Sequence, residues 1–419
     1  MSTASLSPRR EPPSLRSHRG FRTLFLAGVG SKLGANLGAV AFPLVAILAL
    51  DASEGQASAV AVSTTVAALL LGLPAGPWTD GHSKRAIMIA SDVGRAAALV
   101  SVPLAWWFEV LTLPHLFAAA FLAGTGRLFF DVAQQSALPS LVGRDGLTSA
   151  NSAIVSLDAV LHVGGRGLGG FLVQALTAPV ALLVEAAGYL WSALLLTKLP
   201  ADRAANRGKA LPFGAALREG GRFVFSHPVL RPLVLAGGLN NLASQTIVVM
   251  LPFVVLRDLG LSAAWFGAFL AVGGVGTFLG ASLARRLTDR LGQGRLLWAT
   301  GAFAAPFALA VPTMASPLGF GLATVAWVVV CASFGVDNVV KVSLRQRLTP
   351  DRLLGRMNSV FRFVLFGTIP LGAALGGFVG ATWSARSALW TGAAIMAVQW
   401  LIVFFSRARR SDEFESTEA

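Results

Sequence analysis

The sequence places several ionisable side chains inside long apolar runs, and some of them recur at the spacing of one helical turn. Asp158, His162 and Arg166 form the densest of these stripes, and a series of glycines begins beside them at Gly164. Residues three or four positions apart share one face of a helix, so these groups can neutralise each other or exchange a proton. Two interpretations stay open: a static ion network, and a site where Asp158 or His162 titrates while a proton crosses.

Acids and bases also pair by spacing in two other apolar runs. Arg127 precedes Asp131 by one turn, and Asp337 precedes Lys341 by one turn. Glu185 has no base within a turn on its own helix, which makes it a further candidate for carrying a proton. The predicted proton-coupling residues are therefore Asp131, Asp158, His162, Glu185 and Asp337.

The elements that position these residues are membrane spans. The chain has 419 residues, of which 54% are hydrophobic and 13% are charged, whereas an average soluble domain has about 25% charged residues. Windows of about 20 apolar residues give about twelve spans, the fourth and fifth at residues 114–136 and 149–174. The predicted fold class is an all-α membrane protein with twelve transmembrane helices.

The chain divides into two halves with short polar extensions. The predicted parts are a basic tail at 1–20, a six-helix bundle at 21–200, a linker with an amphipathic helix at 201–227, a second six-helix bundle at 228–406 and a tail at 407–419. The linker helix is expected to lie on the inner leaflet.

The net charge of +14 is distributed in a way that excludes nucleic-acid binding. Bases precede the first span, follow the even-numbered spans and fill the linker, while the other breaks carry only Arg257 and Arg386. This alternation follows the positive-inside rule, so we expect a multi-pass protein of the cell (inner) membrane with both termini in the cytoplasm. The first span is expected to serve as its own insertion signal.

Polar side chains elsewhere in the spans are candidates for substrate contact. Lys32 and Asn36 are one turn apart in the first span, and Asn240 and Gln245 belong to an uncharged patch in the seventh. In the alternative interpretations, Lys32 extends to the membrane surface and the amides only hold helices together. The predicted cavity set is Lys32, Asn36, Arg127, Arg166, Asn240, Gln245, Asn338 and Lys341.

A short turn between the second and third spans carries an acid and two bases, Asp80 followed by Lys84 and Arg85. A carboxylate in such a turn can cap one helix and bridge to another. A similar turn with Asp289 and Arg290 follows the eighth span, about half a chain later, as an internal duplication requires.

Asp131, toward the same end of the fourth span, is expected to reach the first of these turns. Asp92 and Arg95 are expected to hold that turn as a structural pair. The predicted conformational switch therefore comprises Gly76, Asp80, Lys84, Arg85 and Asp131, with Asp289 and Arg290 in the second copy.

The sequence gives no indication of an enzyme or a metal site. Cys331 is the only cysteine, which excludes an internal disulfide and a multi-cysteine metal site. Motifs such as HExxH, GxSxG or a phosphate-binding loop do not occur, and no soluble stretch is long enough for a catalytic domain.

Several segments together resemble the major facilitator superfamily over nearly the whole chain. These are residues 76–85, 138–142 with Ala150 and Asn151, Gln346 with 353–356, and 370–372. Within that superfamily the chain is most similar to the proton-driven efflux group that includes macrolide exporters and the enterobactin exporter. Residues 165–170 resemble the antiporter motif of exporters, with Arg166 where proline is usual.

The resemblance implies two pseudo-symmetric six-helix bundles that rock around a central cavity. It implies proton-coupled efflux of an amphipathic small molecule. The alternative is an importer or facilitator of a small metabolite, and a non-transporting membrane enzyme or sensor is the least favoured function. The energy source would be a proton gradient, and no cofactor would be needed. The partners would be the small-molecule substrate and the lipid bilayer. The protein would act as a monomer. In the family the acid of the turn locks one state and the bases contact the acid on the fourth span, roles that fall here to Asp80, Lys84 or Arg85, and Asp131. Gly81 and Ser83 depart from the family motif.

Overall fold

The computed structural model describes residues 18–200 and 213–410, which are almost entirely helical. The first six spans are Arg19–Ala49, Glu54–Asp80, Lys84–Trp107, Leu113–Gly143, 144–176 and Ala178–Leu196. The second six are Leu230–Phe253 with a π turn at Val254–Asp258, Ala263–Leu291, Gln293–Ala310, Pro317–Arg347, Asp351–Thr382, and Ala385–Val398 continued by Trp400–Phe404. The chain is a twelve-helix membrane protein, as predicted.

The fourth and fifth spans differ from their predicted bounds. The sequence predicts a break at residues 137–148, but the helix continues through Pro139 and changes direction at Gly143, where φ is 68°. Glycine adopts this left-handed conformation at no steric cost, so one residue replaces a loop. In the part of the chain that the structure describes, eleven helices are long and apolar enough to cross a membrane. The fifth span is the additional one, and it carries the polar stripe.

Local signals in the sequence explain where several spans begin. Ser53 accepts a hydrogen bond from the backbone of Gln56, whose side chain returns to the backbone of Ser53, which is a capping box. The side chains of Ser83, Thr112 and Ser316 cap other spans by accepting one backbone hydrogen bond each, without the reciprocal bond of a capping box. Such caps satisfy backbone groups that a helix end leaves unpaired.

The linker helix covers Phe213–Ser226, close to the predicted amphipathic segment. Its Glu219 forms an ion pair with Arg356 at the start of the eleventh span. The linker helix is therefore attached to the second bundle, while residues 201–212 of the predicted linker lie outside the described residues.

The two halves are related by an approximate two-fold exchange of spans. The fifth span packs on the eighth, and the second packs on the eleventh. If each span of the first half corresponds to the span six positions later, the second span corresponds to the eighth and the fifth to the eleventh. The contact between the second and eleventh spans then corresponds to the contact between the eighth and fifth. The first and sixth spans pack together as the seventh and twelfth do. This is the symmetry that two fused inverted or parallel repeats produce.

The apolar core divides between the two ends of the molecule. We call the end where the odd-numbered spans begin, with Arg19, Lys84, Arg295 and Arg356, the basic end, and the other the far end. One continuous core at the far end combines side chains of both halves. Toward the basic end there are two separate cores, one within each half. The halves therefore meet at the far end and part toward the basic end.

Close backbone contacts mark how far the two halves stay together. Gly170 lies against Gly267, and an added Cβ there would approach the backbone at 2.7 Å. Along the fifth and eighth spans the contact continues from Gln174 to Val163, about three helical turns. Beyond this point Val160 is 66% exposed. Small residues thus permit the tight closure at the far end, as in other helix pairs within membranes.

Candidate functional site

A cavity of about 670 Å³ lies where the halves part. The described lining comes from the first, third, fourth and fifth spans. Its polar residues are Ser31, Lys32, Asn36, Arg95, Arg127, Asp131, Gln134, Gln135, Asn151, Asp158 and His162. Leu138, Leu147, Ile154 and Val155 add an apolar surface. The volume and the mixture of surfaces suit a small-molecule site.

Lys32 and Asp158 form an ion pair on the wall of this cavity. The Lys32 Nζ lies 2.5 Å from the Asp158 Oδ1, and the two side chains are 16% and 49% exposed. The alternative in which Lys32 extends to the membrane surface is therefore wrong. The amide of Asn36 donates to the carbonyl of Lys32 on the same helix at 2.9 Å. The pair joins the first span to the fifth, because a charge in this position needs a partner that lipid cannot supply.

A second row of polar groups follows one face of the fourth span. Arg127 Nε lies 3.9 Å from Asp131 Oδ2, and these side chains are 65% and 42% exposed. One turn further, Gln135 Oε1 accepts a hydrogen bond at 3.2 Å from Arg362 of the eleventh span. This row therefore reaches the second half, through a residue that the predicted cavity set does not include.

A buried network lies behind the cavity between the first, third and sixth spans. Arg95 and Asp92 form an ion pair with side chains only 2% and 0% exposed. Arg95 also donates to Ser31 Oγ at 2.7 Å, and its guanidinium lies 3.9 Å from the centroid of the Tyr189 ring. The expected pairing is confirmed. The pair also holds three spans together inside the bundle.

Glu185 extends this network into the sixth span. Its Oε1 accepts a hydrogen bond from the Tyr189 hydroxyl at 2.6 Å, while its Oε2 is buried with no hydrogen-bond partner among the described atoms. The carboxyl group rests on Gly38, where an added Cβ would lie 2.5 Å from its Cδ. Glycine at Gly34 and Gly38 is what lets the first span approach the sixth this closely.

The remaining residues of the fifth-span stripe have different surroundings. His162 lines the cavity. Arg166 does not, and its Nε is buried without a hydrogen-bond partner among the described atoms. Asp158 therefore pairs with Lys32 of the first span and not with the neighbouring bases of its own stripe.

The second half places its predicted residues away from the described cavity lining. Asp337 and Lys341 form the expected pair at 2.5 Å and are 14% and 12% exposed. Asn338 is exposed, Gln245 is half-buried and Asn240 is 8% exposed. Their roles in substrate contact stay predictions. The neighbouring Asn241 donates to the Leu365 carbonyl at 2.9 Å, which is a contact between helices.

The predicted switch residues surround the two basic turns. Arg85 donates to the Thr197 carbonyl at 2.6 Å, which attaches the first turn to the end of the sixth span. Lys84 is 7% exposed and donates to the His82 carbonyl at 3.1 Å. The side chain of Asp80 lies outside the described set, and a contact of Asp131 with this turn stays a prediction. Gly76 lies in the second span, with nothing within 4 Å of an added Cβ.

The second basic turn is more open than the first. Asp289 and Arg290 are exposed at the end of the eighth span. That span ends at Gly292, whose φ of 77° turns the chain into the ninth span. The two residues predicted for the second copy of the switch thus lie at the turn between the eighth and ninth spans, with their charged groups at the surface, and their switch role stays a prediction.

Ion pairs also occur at the far end, which the sequence did not predict. Arg257 lies 2.6 Å from Asp51 and donates to the Ala52 carbonyl at 3.1 Å. Asp51 belongs to the first half and Arg257 to the second, so this pair spans the closed end. Ser262 donates to Gln174 at 2.8 Å beside it. Among residues 18–200 and 213–410, no group of His, Cys, Asp and Glu side chains is suited to hold a metal ion.

A comparison with known protein families identifies the family of this chain. Residues 13–419 match the family described as transmembrane secretion effector, which covers nearly the full length. The chain belongs to this branch of the major facilitator superfamily. It is a multi-pass membrane transporter and not an enzyme.

Two curated relatives are similar over most of their length. The multidrug efflux pump Tap of Mycolicibacterium fortuitum is 27% identical over 365 residues, which are 84% of this chain and 87% of the relative. The enterobactin exporter EntS of Salmonella typhimurium is 28% identical over 385 residues, which are 88% and 87% of the two chains.

Solved structures of major facilitator transporters share the fold. A bacterial homologue of the iron transporter ferroportin, in its inward-facing state, gives a TM-score of 0.74 at 16% identity and covers 92% of this chain and 98% of its own. The nucleoside transporter NupG gives 0.73 at 14% identity, covering 94% and 99%. The ferroportin homologue in its outward-facing state gives 0.62 at 16% identity, covering 92% and 98%.

Proposed function

We propose that this transporter exports an amphipathic small molecule, such as a drug, macrolide, siderophore or other secondary metabolite, in exchange for protons. The proton gradient supplies the energy, so the scheme requires no cofactor. One chain suffices in this proposal, because the cavity lies within a single polypeptide. The membrane is the inner membrane, with both termini in the cytoplasm.

The observation that supports the proposal is a charged cavity in a molecule whose halves share one apolar core at the far end and have separate cores toward the basic end. Lys32–Asp158 and Arg127–Asp131 face this cavity, while Asp51–Arg257 and the shared apolar core hold the halves together at the far end. The basic end faces the cytoplasm under the positive-inside rule. A substrate therefore enters the cavity from the cytoplasm in this state.

Proton coupling in this scheme acts through the partners of the cavity carboxylates. Protonation of Asp158 would remove the charge that holds Lys32, and protonation of Asp131 would release Arg127. A ligand or proton shifts a two-state equilibrium only by its different affinity for the two states. Because Lys32 and Asp158 join two spans beside the opening, their charge state can supply such a difference.

The direction of transport is supported by the names of the relatives and by the motif in the fifth span. Both curated relatives described above are exporters or efflux pumps by name. The small residues around Arg166 provide the close contact between the fifth and eighth spans that closes the far end. Opening this contact would release the substrate to the other side.

Transport by purified protein in liposomes tests the proposal. Vesicles are loaded with a macrolide, a catecholate siderophore or a fluorescent amphiphile, and efflux is followed with and without an imposed pH gradient. We expect at least one compound to move faster when the gradient drives protons in the opposite direction. Protein-free vesicles serve as the control.

The same assay separates the alternative functions. Flux that is equal in both directions and unaffected when a proton ionophore removes the gradient would indicate a facilitator. Uptake driven by protons moving in the same direction as the compound would indicate an importer. Either result would overturn the proposal of proton-driven export, and the fold assignment would stand.

A further inference from the structure

The ion pairs of the cavity leave an excess of positive charge. Asp158 neutralises Lys32, Asp92 neutralises Arg95 and Asp131 is the partner of Arg127. Each carboxylate that faces the cavity is thus assigned to one base. Arg362 and Arg166 remain, and no carboxylate among the described side chains lies within 4 Å of either guanidinium. Arg166 lies outside the described lining, so Arg362 is the base that concerns the cavity.

Arg362 brings one of these charges to the cavity from the second half. Its Nη1 donates to Gln135, a lining residue, and its guanidinium lies 6.0 Å from the centroid of the Phe366 ring. Both contacts are neutral, so they orient the cation without compensating its charge. The other donors of the guanidinium fork stay available for a ligand.

Arg127 faces the same space from the first half. Its side chain is 65% exposed, and the 3.9 Å to Asp131 is longer than a direct hydrogen bond. Arg127 and Gln135 are two turns apart on one face of the fourth span. Arg127 extends along this face as far as Asp131, one turn from Gln135, and Arg362 contacts Gln135 itself. Guanidinium groups of both halves therefore face the same stretch of the fourth span.

An apolar surface adjoins these charges. Val155 lines the cavity and is 65% exposed, and Phe366 beneath Arg362 is 55% exposed. Guanidinium groups bind carboxylates and similar oxyanions through paired hydrogen bonds, and their attraction is stronger where water is limited. The wall thus offers an anion site next to a place for a hydrophobic body.

We propose that the transported molecule is an amphipathic anion whose oxyanion group binds between Arg127 and Arg362 beside Gln135. Its apolar part lies on Val155 and Phe366. Binding then draws the two halves together at the basic end, which is the movement that alternating access requires. This inference rests on the proposed function for its transport step, but the binding preference is independent of direction and coupling.

Three probes with one fluorescent body test the preference. Dansyl-glycine carries a carboxylate, dansyl amide is neutral, and a dansyl amine carries a cation. Binding to the purified full-length protein is measured by fluorescence. We expect the carboxylate to bind at least about tenfold more tightly than the other two, as a charge-assisted hydrogen bond permits.

Two variants of Arg362 test whether this residue binds the anion. Arg362→Gln should weaken dansyl-glycine binding by about tenfold and leave dansyl amide unchanged, and Arg362→Lys should lose less because it keeps the charge. Arg386→Gln is the matched control, since Arg386 is half-buried at the far end and pairs with Asp258. Thermal unfolding of each variant confirms that it is folded.

Each result decides the inference. Equal or weaker binding of the carboxylate than of the amide or the amine overturns it, and so does unchanged affinity in folded Arg362→Gln. If the preference holds but no probe crosses proteoliposomes under any gradient, the proposed function fails while the anion site stands. If only the cationic probe is exported, the function stands and the anion site fails.

Discussion

Lys32 of the first span and Asp158 of the fifth form a direct ion pair, with 2.5 Å between Nζ and Oδ1, although 126 residues separate them. Both residues line the cavity. In the proposed mechanism, a proton that binds Asp158 would break this contact between the first and fifth spans. The coupling proposal depends on it.

Asp158→Asn should separate binding from energy coupling. The amide cannot take up a proton, so we expect efflux that no longer responds to the pH gradient, while exchange of substrate between the two sides continues. The measurement is efflux from proteoliposomes, compared with counterflow in the same preparation. Asp258→Asn, at the far end, is the control. A variant that keeps the full response to the gradient would remove Asp158 from the coupling mechanism.

Gly38→Ala should destabilise the first bundle. The added Cβ would meet the carboxyl group of Glu185, and such overpacking costs about 1–3 kcal/mol. Gly164→Ala is the matched control, because nothing lies within 4 Å of an added Cβ there. Thermal unfolding in detergent should show a lower midpoint for Gly38→Ala alone. Equal midpoints for the two variants would contradict the packing of Glu185 on the first span.

Tyr189→Phe should remove the described hydrogen bond of Glu185 while keeping the ring beneath Arg95. A buried polar group left without a partner costs about 1–3 kcal/mol. The same substitution made in a Glu185→Gln background should cost a different amount, because contacting residues are not additive. Unfolding midpoints of the four proteins measure this. Additive effects would show that the two side chains do not interact.

Arg257→Gln should loosen the far end. The residue forms the ion pair with Asp51 across the halves. An exposed pair contributes about 0.2–1 kcal/mol, which changes a population roughly 1.4- to fivefold. Ser58→Cys, 2% exposed in this state, reports the opening through its rate of reaction with a membrane-impermeant maleimide in a Cys331→Ala background.

The control for this prediction is Arg386→Gln. Its ion pair with Asp258 lies within the second half, so breaking that pair should leave the labelling rate unchanged. A rate that rises equally in both variants would show a general loss of stability. A rate that rises in neither would mean that Asp51–Arg257 does not hold the far end closed.

Contacts within one helix could be predicted from the sequence, and contacts between helices could not. Arg127–Asp131 and Asp337–Lys341 follow from a spacing of one turn, which helix geometry alone brings together. Lys32–Asp158 depends on how far the first span slides along the fifth, and the glycines that set this register carry no side chain to indicate it.

The apolar pattern predicted the number of spans, but it did not predict how the fourth span connects to the fifth. Windows of about 20 apolar residues place a break at residues 137–148, between the fourth and fifth spans. The positive φ of Gly143 allows the change of direction at one residue. The contact between Arg362 and Gln135 could not be predicted, because the two residues are 227 positions apart and belong to different halves.

If the halves rock about this cavity, a reversible cross-link at the far end should prevent the cavity from opening there. A Cβ added at Gly55 would lie 3.5 Å from the Cβ of Ala381, in the other half, which is within the range that a disulfide requires. Gly55→Cys with Ala381→Cys, in a Cys331→Ala background, should cross-link, keep binding substrate and stop transport until a reductant restores it. Full transport by the cross-linked protein would show that the halves do not have to separate at the far end.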